Sequence, residues 1–352
     1  MALEPSHLCV EEGRLRGSQG RGACNYSGTA RLQPRNLGGT RPPCNQAGLA
    51  LEVSTARPAV SVVIPAFNAR DLIGRALESL YAQEVDAPFE IIVVASGVDD
   101  CADYLREHHS SVRVHHCGDR MLPGSARNVG VRMALGEVIA FASADTRAEP
   151  RWLAERLRLH RAGCDLVGGS ILNGTPKSWI GTAGYLMEYS ALLPVEALLR
   201  QQDVAHALSF TRSVFELVGE YPEDIATGED TIFNQRCLAR GLRLGFAPQA
   251  GLYHDNPRDL REFLHHAAGH GQGLAQCIKR YELATSFSDA DAWSRWGRVA
   301  ATFKYTALAL QAKYRRVARY APRFLPALVA CTPLIAGGSA VTAWSTLNEL
   351  RS

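Results

Sequence analysis

The sequence predicts an α/β fold in which a doubly wound, mostly parallel sheet with flanking helices is followed by a helical C-terminal region. Three observations predict it. Short, largely apolar runs, AVSVVIPAFN at 59–68, FEIIVVAS at 89–96 and EVIAFASAD at 137–145, have the pattern of strands buried on both faces. Between them stand segments with apolar residues at helical spacing, such as LIGRALESLYAQ at 72–83. A chain of 352 residues, 46% of them apolar, is long enough to cover such a sheet with helices.

Taken in order, the first strand ends in Pro65 and Asn68, residues that turn the chain, and helix 72–83 with strand 89–96 completes a βαβ unit. Residues 100–109 read as a helix and VRVHHC at 112–117 as a short strand. SARNVGVRMALG at 125–136 reads as a helix ended by Gly136, and EVIAFASAD as the fourth strand, with Asp145 at its end. A helix is expected over 152–161 and a strand over 165–172. The stretch 173–207 is less regular and holds the apolar, aromatic segment WIGTAGYLMEYSALL. At 226–241, ATGEDTIFNQRCLARG sets an acidic pair in a loop that opens a helix closed by Gly241, and LRLGFAPQAGLYHD at 242–255 reads as a strand pair ending in His254. From about residue 260 the pattern is helical, with GHGQG at 269–273 expected to interrupt it.

With 38 basic and 35 acidic side chains, a net charge of +3, the chain gives no reason to expect nucleic acid as a partner. Its nine cysteines, at 9, 24, 44, 101, 117, 164, 237, 277 and 331, contain no CxxC pair, and the odd number suits reduced thiols and the cytosol. The opening MALEPSHLCVEEGRLRGSQ carries charges where a signal peptide needs an apolar core. Residues 1–57 lack any apolar period and are expected to be a disordered tail, with an over-extended start site as the other reading. At the other end, 324–348 contains no charged residue, and FLPALVACTPLIAGGSAVTAW has the length of a bilayer span. Two readings stand for 322–348: a membrane segment, or a buried or re-entrant terminal helix kinked at Pro326, Pro333, Gly337 and Gly338. If it spans, Lys313, Arg315, Arg316, Arg319 and Arg323 set the preceding domain on the cytoplasmic face of the cell membrane; otherwise that basic block favours an anionic membrane surface.

Asp145 follows a buried strand, so its carboxylate is expected at the carboxyl edge of the sheet, where it can hold a divalent cation or merely cap the next helix. Glu229 and Asp230 open a helix; there a carboxylate can accept a proton from an attacking hydroxyl, or simply cap. His254 is a metal ligand or a surface histidine. Arg127 and Asn128 in GSARNVG suit a nucleotide base or phosphate, although the GK[ST] ending of a P-loop is absent, and the first strand lacks GxGxxG.

The order SVVIPAFN, EIIVVAS, GSARNVG, FASAD, GED and PQAGLYH, spread over 60–254, resembles the family 2 glycosyltransferases of the GT-A fold. The resemblance implies an inverting glycosyltransferase, with a GT-A domain over 58–256 and a helical acceptor or membrane-proximal region over 257–321. Pro65, Phe67 and Asn68 would line the nucleotide pocket with Arg127 and Asn128. Ser143, Ala144 and Asp145 would occupy the metal motif, with His254 as a further ligand of Mg2+ or Mn2+. Asp230 would be the base, aided by Glu229, and His270 and Gln272 would touch the acceptor or the diphosphate; the segment 179–193 by its own composition reads as an acceptor-facing insertion. The usual acidic run after the second strand reads Ala95-Ser96-Gly97-Val98 here, leaving Ser96 and Asp100 to contact the nucleotide, and Ser143 replaces the first metal-motif Asp. The expected partners are a nucleotide-diphosphate sugar, UDP-linked among the options, a glycan or lipid-linked acceptor, and the membrane. Two other readings are a nucleotidyltransferase on a similar sheet and a non-catalytic binding protein that keeps the fold.

Overall fold

A computed structural model of the protein describes residues 57–195, 206–285, 287 and 294–352. The tail expected over 1–57 lies outside them except at Arg57. The expected opening is present as β1 (Val60–Phe67), α1 (Arg70–Tyr81), β2 (Phe89–Ser96), α2 (Cys101–His108) and β3 (Arg113–Cys117). Then come α3 (Pro123–Met133), β4 (Val138–Phe141), β5 (Thr146–Ala148), α4 (Trp152–Arg161) and β6 (Leu166–Asn173). The chain continues through α5 (Trp179–Tyr189), β7 (Ser209–Thr211), α6 (Arg212–Val218), α7 (Glu229–Ala239) and β8 (Leu244–His254). Helices α8 (Leu260–Tyr281), α9 (Arg295–Tyr320) and α10 (Leu325–Arg351) follow, with a 3-10 turn, Pro322–Phe324, before the last.

Eight strands form one sheet in the order β3-β2-β1-β4-β7-β6-β8-β5. The block from β3 to β4 is parallel and β6 runs parallel to β8, whereas β7 and β5 run antiparallel to their neighbours. Alternation along β1 explains its largely apolar run. Val60, Val62 and Ile64 enter a core with Ile73, Leu77 and Leu105, while Val63 enters another with Ile92, Val94, Phe210 and Phe233. Burial of each such aliphatic chain contributes about 1.5–3 kcal/mol, so a charge at any of them would unseat a helix layer.

Four expectations are corrected. Residues 173–207 are irregular at 174–178 and 190–195, but α5 runs through most of the aromatic segment, with the Ser178 hydroxyl accepting from Gly181 N at 3.0 Å as its N-cap. The expected strand pair at 242–255 is one strand, β8, whose pairing with β6 shifts register between Gly169 and Ile171. Asp145 does not end a strand, since β4 stops at Phe141 and the aspartate sits in the turn before β5. GHGQG does not interrupt α8, and two of its glycines, Gly271 and Gly273, admit neighbours. A Cβ on Gly271 would lie 2.3 Å from the Thr342 carbonyl oxygen of α10, and one on Gly273 would lie 2.1 Å from Thr227.

Helix α10 runs without a break from Leu325. Pro326 sits in its first turn, where a missing N–H costs nothing, although Pro333 lies inside the helix. Leu328, Cys331, Ile335, Ser339, Ala343 and Leu347 form its buried stripe. The Thr342 and Thr346 hydroxyls donate to the carbonyls of Ala267 and Gly271 on α8, each at 3.0 Å. Pro322–Arg351 is the one stretch among the described residues long and apolar enough, by length and composition, to cross a membrane.

Candidate functional site

The carboxyl ends of β1 and β2, the turn after β4, the start of α7 and helices α5, α8, α9 and α10 surround a cleft of about 1080 Å³. Pro65, Phe67, Ser96, Arg127, Ser143 and Asp145 line one side of it. The arrangement follows from the sheet, whose parallel strands all deliver their turns to the same edge.

Asp145 is held by the turn around it. Thr146 N donates to Ser143 O, Ser143 N donates to Thr146 Oγ1, both at 3.1 Å, and Asp255 N donates to Asp145 O at 3.0 Å. Pairing of Thr146 with His254 across β5 and β8 then brings Asp145 Oδ2 to 3.5 Å from His254 Nε2. His254 Nδ1 donates to Asn256 Oδ1 at 3.2 Å, an orientation set by Asn256 Nδ2 donating to His254 O at 3.0 Å and to Thr175 Oγ1 at 3.3 Å. That bond fixes the ring so that Nε2 faces Asp145. The His254 ring also packs against Tyr189 and His206, with centroids 5.0 and 5.9 Å away, and burial pushes His206 down to about 4. Asp145 Oδ1 is buried without a hydrogen-bond partner. An orphaned carboxylate oxygen beside an imidazole nitrogen fits a divalent cation. Ser143 lines the cleft next to them.

The acidic pair divides. Gly228, at φ 91°, makes the left-handed turn into α7 that an L side chain rarely adopts. Beyond it Glu229 is buried in an ion pair with Arg127, whose guanidinium lies 5.4 Å from the Phe141 ring centroid. Asp230 is half-buried, lines the cleft, and accepts from Thr231 N at 2.7 Å. Of the two, Asp230 faces the space a substrate would fill.

Four expected residues do not line the cleft. Asn68, at φ 44°, uses Oδ1 to accept from Val98 N at 3.0 Å and so holds the turn after β1. Asp100 is exposed at the start of α2, 3.7 Å from Arg70 Nε. Asn128 is wholly buried: Nδ2 donates to Tyr221 O at 3.0 Å and to Glu223 Oε1 at 2.8 Å, and Oδ1 accepts from Tyr221 N at 2.9 Å. Gln272 is exposed on α8, whereas His270, one turn from His266, reaches the cleft.

Sequence reasoning reached Glu188 and Tyr189 only as part of the segment 179–193 and missed His206, His266 and Thr227, and all five lie on the cleft wall. The HHAAGH spacing was the one available signal, since it sets His266 and His270 on one helical face. Burial would raise the Glu188 carboxyl, but the hydrogen bond from His266 and the charges of His266, His270 and His254 hold it down to about 2. Lys313 and Arg316 of α9 also turn into the cleft; burial pushes Lys313 down to about 8, and Arg316 donates to Ser190 Oγ at 3.1 Å. The basic block is thereby split, with Arg315 and Arg319 left exposed and Arg323 donating to Pro194 O at 2.5 Å.

Residues 61–217 match the model of the family described as Glycosyl transferase family 2. Glycosyltransferase AglE of Haloferax volcanii is 26% identical over 198 residues, 54% of this chain and 64% of the relative. The succinoglycan biosynthesis protein ExoO of Rhizobium meliloti is 30% identical over 56% of this chain and 61% of its own length. The chain thus spans less than two thirds of either. Among solved structures, the mannosyltransferase PcManGT of Pyrobaculum calidifontis, in complex with GDP-Man and Mn2+, aligns with a TM-score of 0.51 at 22% identity, covering 82% of this chain and 86% of that one. At that identity the likeness is one of fold, and the fold is the GT-A type.

Proposed function

We propose, from the match of residues 61–217 to the glycosyl transferase family 2 model, that the protein is an inverting glycosyltransferase using a nucleotide-diphosphate sugar and an acceptor hydroxyl. The observation that carries this reading is one cleft holding two separate acidic functions: Asp145 with His254, and Asp230. Asp145 and His254 would hold Mg2+ or Mn2+, which when bound neutralises charge on a departing diphosphate. Phe67, Ser96 and Arg127 line the space for the nucleotide. Asp230 accepts the proton of the acceptor hydroxyl as that oxygen attacks the anomeric carbon, and no covalent enzyme intermediate is needed. Glu229 is a positioning residue on this reading, because its carboxylate is occupied by Arg127.

The acceptor enters from the side formed by α5, α8 and α9. Lys313 and Arg316 there, with Tyr305, Leu308 and Met187, favour an acceptor with both anionic and apolar parts, such as a lipid-linked glycan. Association of α10 with a membrane, at the cytoplasmic face, belongs to the same reading. Product analysis tests it: turnover releases a nucleoside diphosphate and yields a linkage of anomeric configuration opposite to the donor's. Release of pyrophosphate would instead mark a nucleotidyltransferase, and retention of configuration would refute direct displacement.

A further inference from the structure

The wall of the cleft formed by α5 and α8 carries a group that the reaction above does not use. Glu188 lies in the last turn of α5, facing His266 and His270, which are one turn apart on α8. Glu188 Oε1 is 3.0 Å from His266 Nε2 and 3.9 Å from His270 Nε2, and the two Nε2 atoms are 3.1 Å apart. His266 has one Nε2, so when it donates to Glu188 the contact between the two rings has no hydrogen bond to bridge it. A four-coordinate cation with bonds of about 2.0–2.1 Å sets its ligand atoms about 3.3–3.4 Å apart, a value the three measured edges bracket.

The ligands also stand on braced elements. Tyr185 of α5 donates to Ile171 O at 2.9 Å, and α8 is bound to α10 through Thr342 and Thr346. All three side chains line the cleft, so a cation among them keeps a position open to it.

We propose that Glu188, His266 and His270 form a second cation site, separate from Asp145 and His254, that takes a zinc-class transition metal and keeps one position for water or another oxygen ligand. Two imidazoles and one carboxylate are the donor set of open zinc sites. Asp145 with a donor diphosphate offers mostly oxygen, which suits Mg2+ or Mn2+. The two sites therefore differ in the metal they select.

Cobalt tests this in the full chain, stripped with chelator and titrated with Co2+ alone and then with Zn2+ in competition. The native chain and Asp145→Ala are expected to show the intense visible band of four-coordinate cobalt, at one equivalent per chain, displaced by zinc. His266→Ala and His270→Ala should lose the band and bind zinc at least about 100-fold more weakly, beyond what outer-sphere changes cost. Glu188→Gln, nearly isosteric, gives the same readout should a histidine variant fail to fold. An unchanged band in these three variants, a band absent from the native chain, or one lost only in Asp145→Ala overturns the proposal. The signal needs neither donor nor turnover, so its failure leaves the transferase reading standing, and failure of that reading leaves the cobalt result intact.

Discussion

The Arg127–Glu229 pair shows how one residue's neighbour decides its role. Adjacent carboxylates 229 and 230 look equivalent in sequence, yet one is buried against a guanidinium and the other faces the cleft. Breaking a buried pair leaves an uncompensated charge, at about 3–5 kcal/mol. Glu229→Gln is therefore expected to lose about that much stability in denaturant titration, and a loss below about 1 kcal/mol would mean that the pair is solvated. His160 gives the pH dependence. Burial pushes its imidazole down to about 4, while Nδ1 and Nε2 lie 2.9 Å from Cys164 O and Ser209 Oγ. Below its unfolded value of about 6.5 the unfolded chain takes up a proton that the folded chain refuses. The His160 contribution is thus intact above about pH 6.5 and is lost as pH falls toward 4. His160→Gln should flatten the stability profile between those values relative to the native chain; parallel profiles would contradict the assignment.

Among elements, α8 and α10 depend on backbone approach. Gly271→Val would drive a side chain into α10, because a Cβ at that position would stand 2.3 Å from Thr342 O and 2.8 Å from the Ser345 Cβ. Overpacking costs about 1–3 kcal/mol and here also breaks the Thr346 bond. A lower Tm with earlier proteolysis of α10 is expected, and an unchanged Tm would mean that α10 is not anchored there. Elements buried on both faces, β1, β2 and β4, were legible because their runs are largely apolar. Helix α5 was not, since WIGTAGYLMEY is apolar around most of its surface and presents no 3.6-residue period. Strands β5 and β7, at three residues each, are too short to carry any pattern.

For the whole molecule, the candidate cleft was legible at the ends of strands and the turn after β4, at Pro65, Phe67, Ser96, Asp145 and His254. It was illegible where distant segments meet, as Glu188 does with His266. Asn128 illustrates the reverse error, a polar residue in a suggestive motif that serves only to clamp the segment at Tyr221. The exposed side of α10, with Val329 and Trp344, lies away from the α8 contact. The full chain is expected to float with anionic vesicles in a salt-sensitive manner through Arg315 and Arg319, and absence from the vesicle fraction at low salt would remove the membrane reading.

The central claim is that Asp230 is the base within a cleft that binds the donor independently of it. Asp230→Asn, assayed for sugar transfer and for nucleotide binding on the same preparation, tests it most directly. Transfer should fall by about 10²–10⁴-fold with nucleotide affinity nearly unchanged. An Asp230→Asn protein that transfers sugar at the native rate would contradict the account.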